Sequence, residues 1–482
     1  MCIHGPCPGI FNWSKSMNKF SVPLLTLLLS ACAIGPDYQR PTIDLPEQWQ
    51  TAKTADVDTR AWWAQFSDQR LQTLINESLN NNQDLKIAVA NIEASAAALG
   101  LARTDFLPSV NAAISGARER YIDGSTDSIY QAGLLLDYEF DLWGRIRRAN
   151  EAAAADLAAD AFTRDALQNL IVAQVSNAYF QSRALDRRIA LLERLQVTQR
   201  ENLQLQQKRL QAGLIAAYDL EQARSEAYVV DAQLPALRAA RVQTLTALAV
   251  LRGVSPKAMT QAWQQQYASD VDASALPIAP DVPMDLPASL LERRPDIRAA
   301  EQRLVAANAR IGEAKAAYFP RLSLTGIAGA ASQALADLLD NSEQVWSAAA
   351  TLSQPLTDIR RVGYRVDAAE ARYTGADAFY QKTVQIAFQE TLDALTSVDA
   401  ARAIMQAQDQ RVEALLKAYQ AAQSRYRAGD LSYLELLDVE RQLRAIEQEQ
   451  VIAQLGLLQS TVDLYRALGG GWQSSADTVA AK

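Results

Sequence analysis

RIRRANEAAAADLAADAFTRDALQNLIVAQVSNAYFQSRALDRRIALLERLQVTQRENLQLQQKRLQA, residues 145 to 212, holds 68 positions without a glycine or a proline. As one continuous α-helix it would run about 100 Å at ~1.5 Å per residue. Ile171, Ala178, Leu185 and Leu192 recur at sevens along it, with Val175 and Ile189 between them. That is a seam with a period near 3.5, the pattern of helices wound around partners. The run ends in Arg209-Leu-Gln-Ala-Gly213-Leu, where glycine can take the left-handed conformation that stops a helix. Adding 216 to the numbering reaches Arg425-Tyr-Arg-Ala-Gly429-Asp, a second ending of the same kind. The same shift carries Arg145 onto Arg361, Ala152-Ala153 onto Ala368-Ala369 and Gly253 onto Gly469. The sequence predicts a tandem duplication built on very long helices.

Composition narrows the classes. The 482-residue chain has 21% charged residues and 20 glycines, which fits neither a disordered chain nor a glycine-repeat fibre. Its net charge of −8 argues against a nucleic-acid partner, since phosphate backbones select a basic stripe. No run of 18 consecutive apolar residues is present, so no helix is expected to cross a membrane.

The N-terminus reads as an address. Met17-Asn-Lys19 supplies a positive start, Val22 to Leu29 an apolar core, and Leu29-Ser-Ala-Cys32 a small-residue cleavage site. Residues 1–31 are the expected signal peptide; Met1 to Ser16 fit no part of one, so Met17 is the expected initiator. A general secretion signal that ends near a cysteine is the plain alternative. Leu-Ser-Ala-Cys resembles the bacterial lipobox, which implies that Cys32 is acylated and heads the mature chain. Ala33 rather than aspartate behind it implies, by the same resemblance, sorting to the outer membrane.

Losing residues 1–31 removes Lys15 and Lys19 and no acid, so 45 basic against 55 acidic residues leave a net charge of −10. Cys2, Cys7 and His4, the only histidine, go as well. A mature chain without histidine or free thiol excludes serine–histidine hydrolysis, cysteine nucleophiles and the common zinc sites. Acids on long helices read as a solvated face. No enzyme, no metal and no cofactor beyond the covalent lipid on Cys32 is expected.

Pro36, Pro41 and Pro46 make residues 32–60 an extended tether. Trp62-Trp63-Ala-Gln-Phe66 reads as local packing ahead of a helical region from about Leu71 to Phe106. After Leu107-Pro108 the period changes to two. Tyr130, Ala132, Leu134, Leu136, Tyr138 and Phe140 form one set; Gln131, Gly133, Leu135, Asp137, Glu139 and Asp141 form the other. Ser109 to Tyr121 alternates more weakly, and the pair reads as a hairpin turning near Asp123-Gly124-Ser125. The second copy supplies Arg321 to Ser332 and Val345 to Leu356, with Trp346, Ala348, Ala350 and Leu352 on one face.

Strands of this length, apolar on one side and fringed with tyrosine and tryptophan, have transmembrane-barrel dimensions; a soluble half-buried sheet is the other reading. Four strands cannot close a barrel, and an open edge is not tolerated in lipid. Sister chains must then complete the wall. Two would give eight strands and a filled interior, whereas three would give twelve and a lumen, so a conduit favours a homotrimer. Helices at about 71–106, 219–252, 288–319 and 434–468 complete the plan, Pro235 being expected to kink one of them. The expected divisions are the tether 32–60, a first repeat 61–253 (hairpin about 109–141), a Pro-rich connector 254–287, a second repeat 288–472 (hairpin about 321–356) and a tail 473–482.

Lipobox, hairpins, Asp141-Leu-Trp-Gly-Arg145, the 216-residue repeat and Tyr426-Arg-Ala-Gly-Asp-Leu-Ser-Tyr-Leu-Glu-Leu-Leu-Asp438 together resemble the TolC-type outer-membrane efflux family, in its lipid-anchored, NodT-like branch. The resemblance covers about residues 33–472. It implies a homotrimer with a twelve-stranded barrel and a long periplasmic α-barrel. It also implies the role of exit duct for a tripartite pump, with a periplasmic adaptor and an inner-membrane RND-type transporter. By the same resemblance Leu434 and Asp438 ring the axis of the periplasmic aperture, Tyr426 and Arg427 belong to its closing network, and Gly213, Leu214, Gly429 and Leu431 meet the adaptor. Three copies of Asp438 around a narrow axis would repel one another and favour cations. The plainer readings are an ordinary surface acid at Asp438 and ordinary helix caps at the two glycines. Gln222 is the counterpart of Asp438, so one acidic ring is expected. Two other classes remain at this point: a periplasmic coiled-coil lipoprotein scaffold and a lipid-anchored enzyme. The cargo is not legible.

Overall fold

The computed structural model describes residues 33–42, 61–267, 276–281 and 293–470, the side chains of 264–267 excepted. After a short 3-10 turn at Trp62–Phe66, the order is α1 (Gln69–Asn81), α2 (Gln83–Thr104), β1 (Ser109–Arg120), β2 (Thr126–Phe140), α3 (Arg145–Gln211), α4 (Ala217–Leu251) and α5 (Pro256–Tyr267). The second copy follows as α6 (Pro295–Ala316), β3 (Arg321–Ser332), the short α7 (Asp337–Asp340), β4 (Glu343–Ser353), α8 (Ile359–Ala428) and α9 (Tyr433–Ala467). The expected long helices therefore form, 67 residues in α3 and 70 in α8. The chain divides into two compact units, one holding the sheet and one holding most of the helices.

In the sheet unit all four strands join in the order β1-β2-β3-β4, every pair antiparallel. Asp123 closes the first hairpin by accepting the Ser125 amide at 2.9 Å, with Gly124 at φ 86°. Residues directly opposite in an antiparallel pair share a face, so the register sorts the side chains. Val110 faces Leu136, Ala112 faces Leu134 and Ile114 faces Ala132. Leu134 then meets Ala328, Phe140 meets Leu322, Ala328 meets Trp346 and Leu322 meets Leu352. One face is thus apolar across all four strands. The other carries Asn111, Gln131, Asp137, Glu139, Ser323, Thr325, Ser347 and Thr351, interrupted by Ile129, Leu135, Ile327 and Val345.

That apolar face is uncovered in the single chain. Ile114 is 79% exposed, Trp346 80% and Leu352 66%, and Val110 and Leu134 are exposed with them. Burying five such side chains is worth about 10 kcal/mol in all, comparable to the whole stability of a typical domain. The strands run 12, 15, 12 and 11 residues, enough to cross a bilayer when tilted.

The start of the tether is docked on this unit rather than free. The Ile34 amide donates to the Trp143 carbonyl at 3.1 Å, Asn308 Nδ2 donates to the Pro36 carbonyl at 2.9 Å, and Arg148 pairs with Asp37 at 2.8 Å. Gly35 (φ +114°) crosses Gly312 so closely that a Cβ on Gly35 would lie 2.4 Å from the Gly312 Cα, which only glycines tolerate.

In the helical unit the core joins the start of the first repeat to the end of the second. Trp62 stacks on Tyr465 with centroids 5.3 Å apart, and Phe66 leans on Phe180 at 5.1 Å. The aromatic cluster thus seals a long-range core and is more than local packing. The helix expected from Leu71 to Phe106 is broken at Asn82. Its Oδ1 accepts the amides of Asp84 and Leu85 at 2.8 and 3.1 Å, capping α2, while its Nδ2 donates to the Leu251 carbonyl at 2.9 Å. Residues 254–287, expected as a connector, contain α5, whose Met259 and Trp263 are buried in the core. The signal passed over was Pro256 behind Ser255, a proline at the first position of a helix. The short α7 between β3 and β4 was not foreseen either, and β4 stops at Ser353, short of Leu356.

α4 continues through Pro235. One expectation needs correcting: α2 is long and apolar enough to cross a membrane by length and composition, with a mean hydropathy of 1.4 over 18 residues. Its many alanines raise the average without forming an unbroken apolar run, and Asp84, Lys86, Glu93 and Arg103 lie along it.

Candidate functional site

The helix tips are built by the same local chemistry twice. Gly213 (φ 69°) and Gly429 (φ 84°) end α3 and α8. At the first, the Gly213 amide donates to the Leu210 carbonyl and the Leu214 amide to the Arg209 carbonyl, both at 2.9 Å. At the second, the Gly429 amide donates to Tyr426 at 3.1 Å and the Asp430 amide to Arg425 at 2.9 Å. These are paired six-to-one and five-to-two closures that only a left-handed residue allows. A Cβ at either glycine would meet nothing within 4 Å, so conformation alone demands glycine here. Leu214 is 73% exposed at its turn and Leu431 half-buried at the other.

The helices that leave the turns are capped differently. Ser432 and Glu435 cap α9 reciprocally, the Glu435 amide donating to Ser432 Oγ at 3.3 Å and the Ser432 amide to Glu435 Oε2 at 2.9 Å. The Ser432 hydroxyl, donating to Glu435 Oε2 at 2.7 Å, and then the Ser432 amide hold the Glu435 carboxyl below its usual range. Ala216 has no side-chain acceptor, so at α4 only Asp219 closes back, accepting the Ala216 amide at 3.2 Å.

Between the repeats two tyrosines are locked. Arg209 donates to the Tyr426 hydroxyl, and Asn202 Nδ2 donates to the Tyr433 hydroxyl at 2.7 Å. The two rings are 6.2 Å apart. Burial pushes the Tyr433 hydroxyl up to about 12. Tyr426 of the second repeat is thus engaged by Arg209 of the first. Arg427 points to solvent without a hydrogen bond or ion pair among the described residues. Leu434 (40% exposed) and Asp438 lie one turn apart on the open side of α9, where Asp438 accepts from Gln442 at 2.8 Å. Gln222, the counterpart of Asp438, donates to the Tyr218 hydroxyl at 3.0 Å.

Sequence reasoning passed over Arg209, Asn202, Tyr433 and Glu440. Glu440 is buried between Leu437 and Leu443, and burial pushes its carboxyl up against the counter-pull of Arg444, with Glu226 adding to the rise. A signal existed for this one alone: an acid at the centre of an i, i+3, i+6 apolar stripe. Among the described residues no group of histidine, cysteine, aspartate and glutamate is placed to hold a metal ion. Cys32 lies outside the described residues.

Paired helices with glycine-stopped tips, and a sheet with one apolar and one polar face, are the features of an outer-membrane channel protein. A profile of the outer membrane efflux protein family matches residues 74–254 and 286–470. The chain is 34% identical over 472 residues to the solvent efflux pump outer membrane protein SrpC of Pseudomonas putida, covering 94% of this chain and 99% of that protein. It is 34% identical over 479 residues to the outer membrane protein OprJ of Pseudomonas aeruginosa, covering 95% and 97%. Among solved structures the outer-membrane channel OprN superposes with a TM-score of 0.82 at 31% identity, covering 92% of this chain and all of that one. The chain belongs to the outer membrane efflux protein family.

Proposed function

We propose that this chain is the outer-membrane exit duct of a tripartite efflux or export pump, a passive homotrimeric channel that takes cargo from an inner-membrane RND-type transporter through a periplasmic adaptor. The observation that carries the reading is the sheet: an uncovered apolar face, a polar face behind it, and unpaired edges on β1 and β4. Three copies supply twelve strands, enough to enclose a lumen. The anchoring lipid would be carried by Cys32, next to a tether that is already fastened at Ile34, Pro36 and Asp37.

Within this reading the helix tips are the periplasmic gate. Leu434 and Asp438 ring the axis, and the bare turns at Gly213, Leu214, Gly429 and Leu431 receive the adaptor. The lock is the Arg209–Tyr426 and Asn202–Tyr433 pair, which ties one repeat to the other. Opening then means parting the repeats at this point. The chain itself supplies no chemistry; energy comes from the transporter.

The test is single-channel recording on purified trimers in planar bilayers. Arg209→Gln with Tyr426→Phe should raise the open time or conductance several-fold over wild type, and by more than Arg427→Ala with Asp438→Ala does by loosening charge alone. A preparation that forms no heat-modifiable trimer in outer-membrane fractions, or conductance indifferent to both pairs of changes, would count against the duct.

A further inference from the structure

At the base of the sheet, where β2 and β4 hand over to α3 and α8, lies a cavity of about 330 Å³. Four guanidinium groups line it, those of Arg145, Arg321, Arg361 and Arg365, against three carboxylates, Glu139, Asp141 and Asp358. The carboxylates are mostly committed. Glu139 accepts Nε and Nη2 of Arg145 at 2.9 and 3.0 Å and is also the ion-pair partner of Arg321 at 3.2 Å. Asp141 caps α3, accepting the Ile146 and Arg147 amides at 3.0 and 2.9 Å, and pairs with Arg147, which is outside the cavity lining. Asp358 reaches Arg361 only at 3.8 Å, with both side chains in solvent. Arg365 makes no hydrogen bond or ion pair among the described residues. One carboxylate thus serves two arginines, and two further arginines are left almost unneutralised.

Helix stability does not account for them. Arg361 stands in the first turn of α8, which has no acidic residue, and a cation there opposes the helix dipole. The remaining wall is apolar. Trp143 and Phe319 stack with centroids 4.8 Å apart beside Ala316, Ala317 and Val362, and the Trp143 indole N–H is already used on the Pro320 carbonyl at 2.8 Å. Glu139, Arg321 and Ser353 all stand on the polar side of the sheet, so in the proposed duct the cavity opens to the lumen; that placement rests on the duct reading, the binding itself does not.

We propose that this cavity binds an amphipathic organic anion, a carboxylate, sulfonate or phosphate ester on an apolar aromatic body. Arg361 and Arg365 take the anionic head in charge-assisted hydrogen bonds, and the body lies against the Trp143–Phe319 wall. In the proposed duct an anion there would lie against the wall, a holding point for negatively charged cargo.

Isothermal calorimetry with naphthalene-2-sulfonate on the full-length protein in a neutral detergent tests this. Wild type should bind, binding should weaken with added salt, and Arg361→Gln with Arg365→Gln should weaken it at least tenfold. Arg360→Gln, one residue outside the cavity lining, should bind as wild type does, and uncharged naphthalene-2-sulfonamide should bind wild type at least tenfold more weakly than the sulfonate. No binding by wild type, equal binding by the double variant, or equal binding of the uncharged amide overturns the proposal. Bilayer recording of the same preparation separates the two readings: sulfonate binding that depends on Arg361 and Arg365 in protein without conductance supports the site while the duct fails.

Discussion

Glu440 sits between two buried leucines of α9, Leu437 and Leu443, and its burial shows what that costs. One carboxylate oxygen has no hydrogen-bond partner, and the group sits near Glu226 as well as Arg444. Its pKa is raised above the ordinary 4.5 with burial as the main cause. Below 4.5 the group is protonated whether the tip is folded or not, and the penalty is absent. As pH climbs, the unfolded chain ionises first, so the stability this site provides is lost as pH rises through the raised folded value. Glu440→Gln keeps the shape and removes the charge. It should raise the melting temperature at pH 7 and change it little at pH 4, which calorimetry at the two pH values would show. A variant less stable at pH 7 would mean that the ionised carboxylate is held by the surrounding charges, against the burial argument.

At the scale of elements, the break between α1 and α2 hangs on one side chain. Asn82 is buried and uses both ends of its amide, capping α2 and tying it to the end of α4. Asn82→Ala should lower the free energy of unfolding by about 2 kcal/mol, a lost cap plus a half-buried carbonyl left without its donor, read as a shift in denaturant midpoint at unchanged slope. The same residue marks where the sequence stops being legible. Periodicity is a local property, so the seam of α3, the glycine stops and the alternation of β2 could be read directly. Asn82 looks like one more polar position in a helical run, because its partner Leu251 lies 169 residues away. Arg209 and Tyr426 are 217 residues apart, and no single-sequence pattern marks such a pair. The glycine turns at the helix tips were therefore legible, while the bonds that join the two tips were not. α5 was readable in principle, through Pro256 at its start, but the prolines of the following stretch drowned that signal.

For the whole molecule the question is which face of the sheet meets lipid, and one pair of adjacent residues decides it. Ile114 and Ser115 are neighbours in the middle of β1, yet the register sends Ile114 to the side of Ala132 and Ser115 to the side of Gln131. A cation on the lipid side of a transmembrane strand costs about 2–4 kcal/mol at the bilayer midplane, and a closed trimer would suffer that cost three times over. On the lumen side an arginine remains in water and costs little. Ile114→Arg should therefore abolish heat-modifiable trimer in outer-membrane fractions, while Ser115→Arg should assemble as wild type does, with altered ion selectivity in bilayers. The two variants add the same group one residue apart, so a general folding defect cannot separate them; only the sidedness of the sheet can. If Ile114→Arg inserts and Ser115→Arg does not, the polar face is the one turned to lipid, and a duct enclosed by the polar residues of this sheet is excluded.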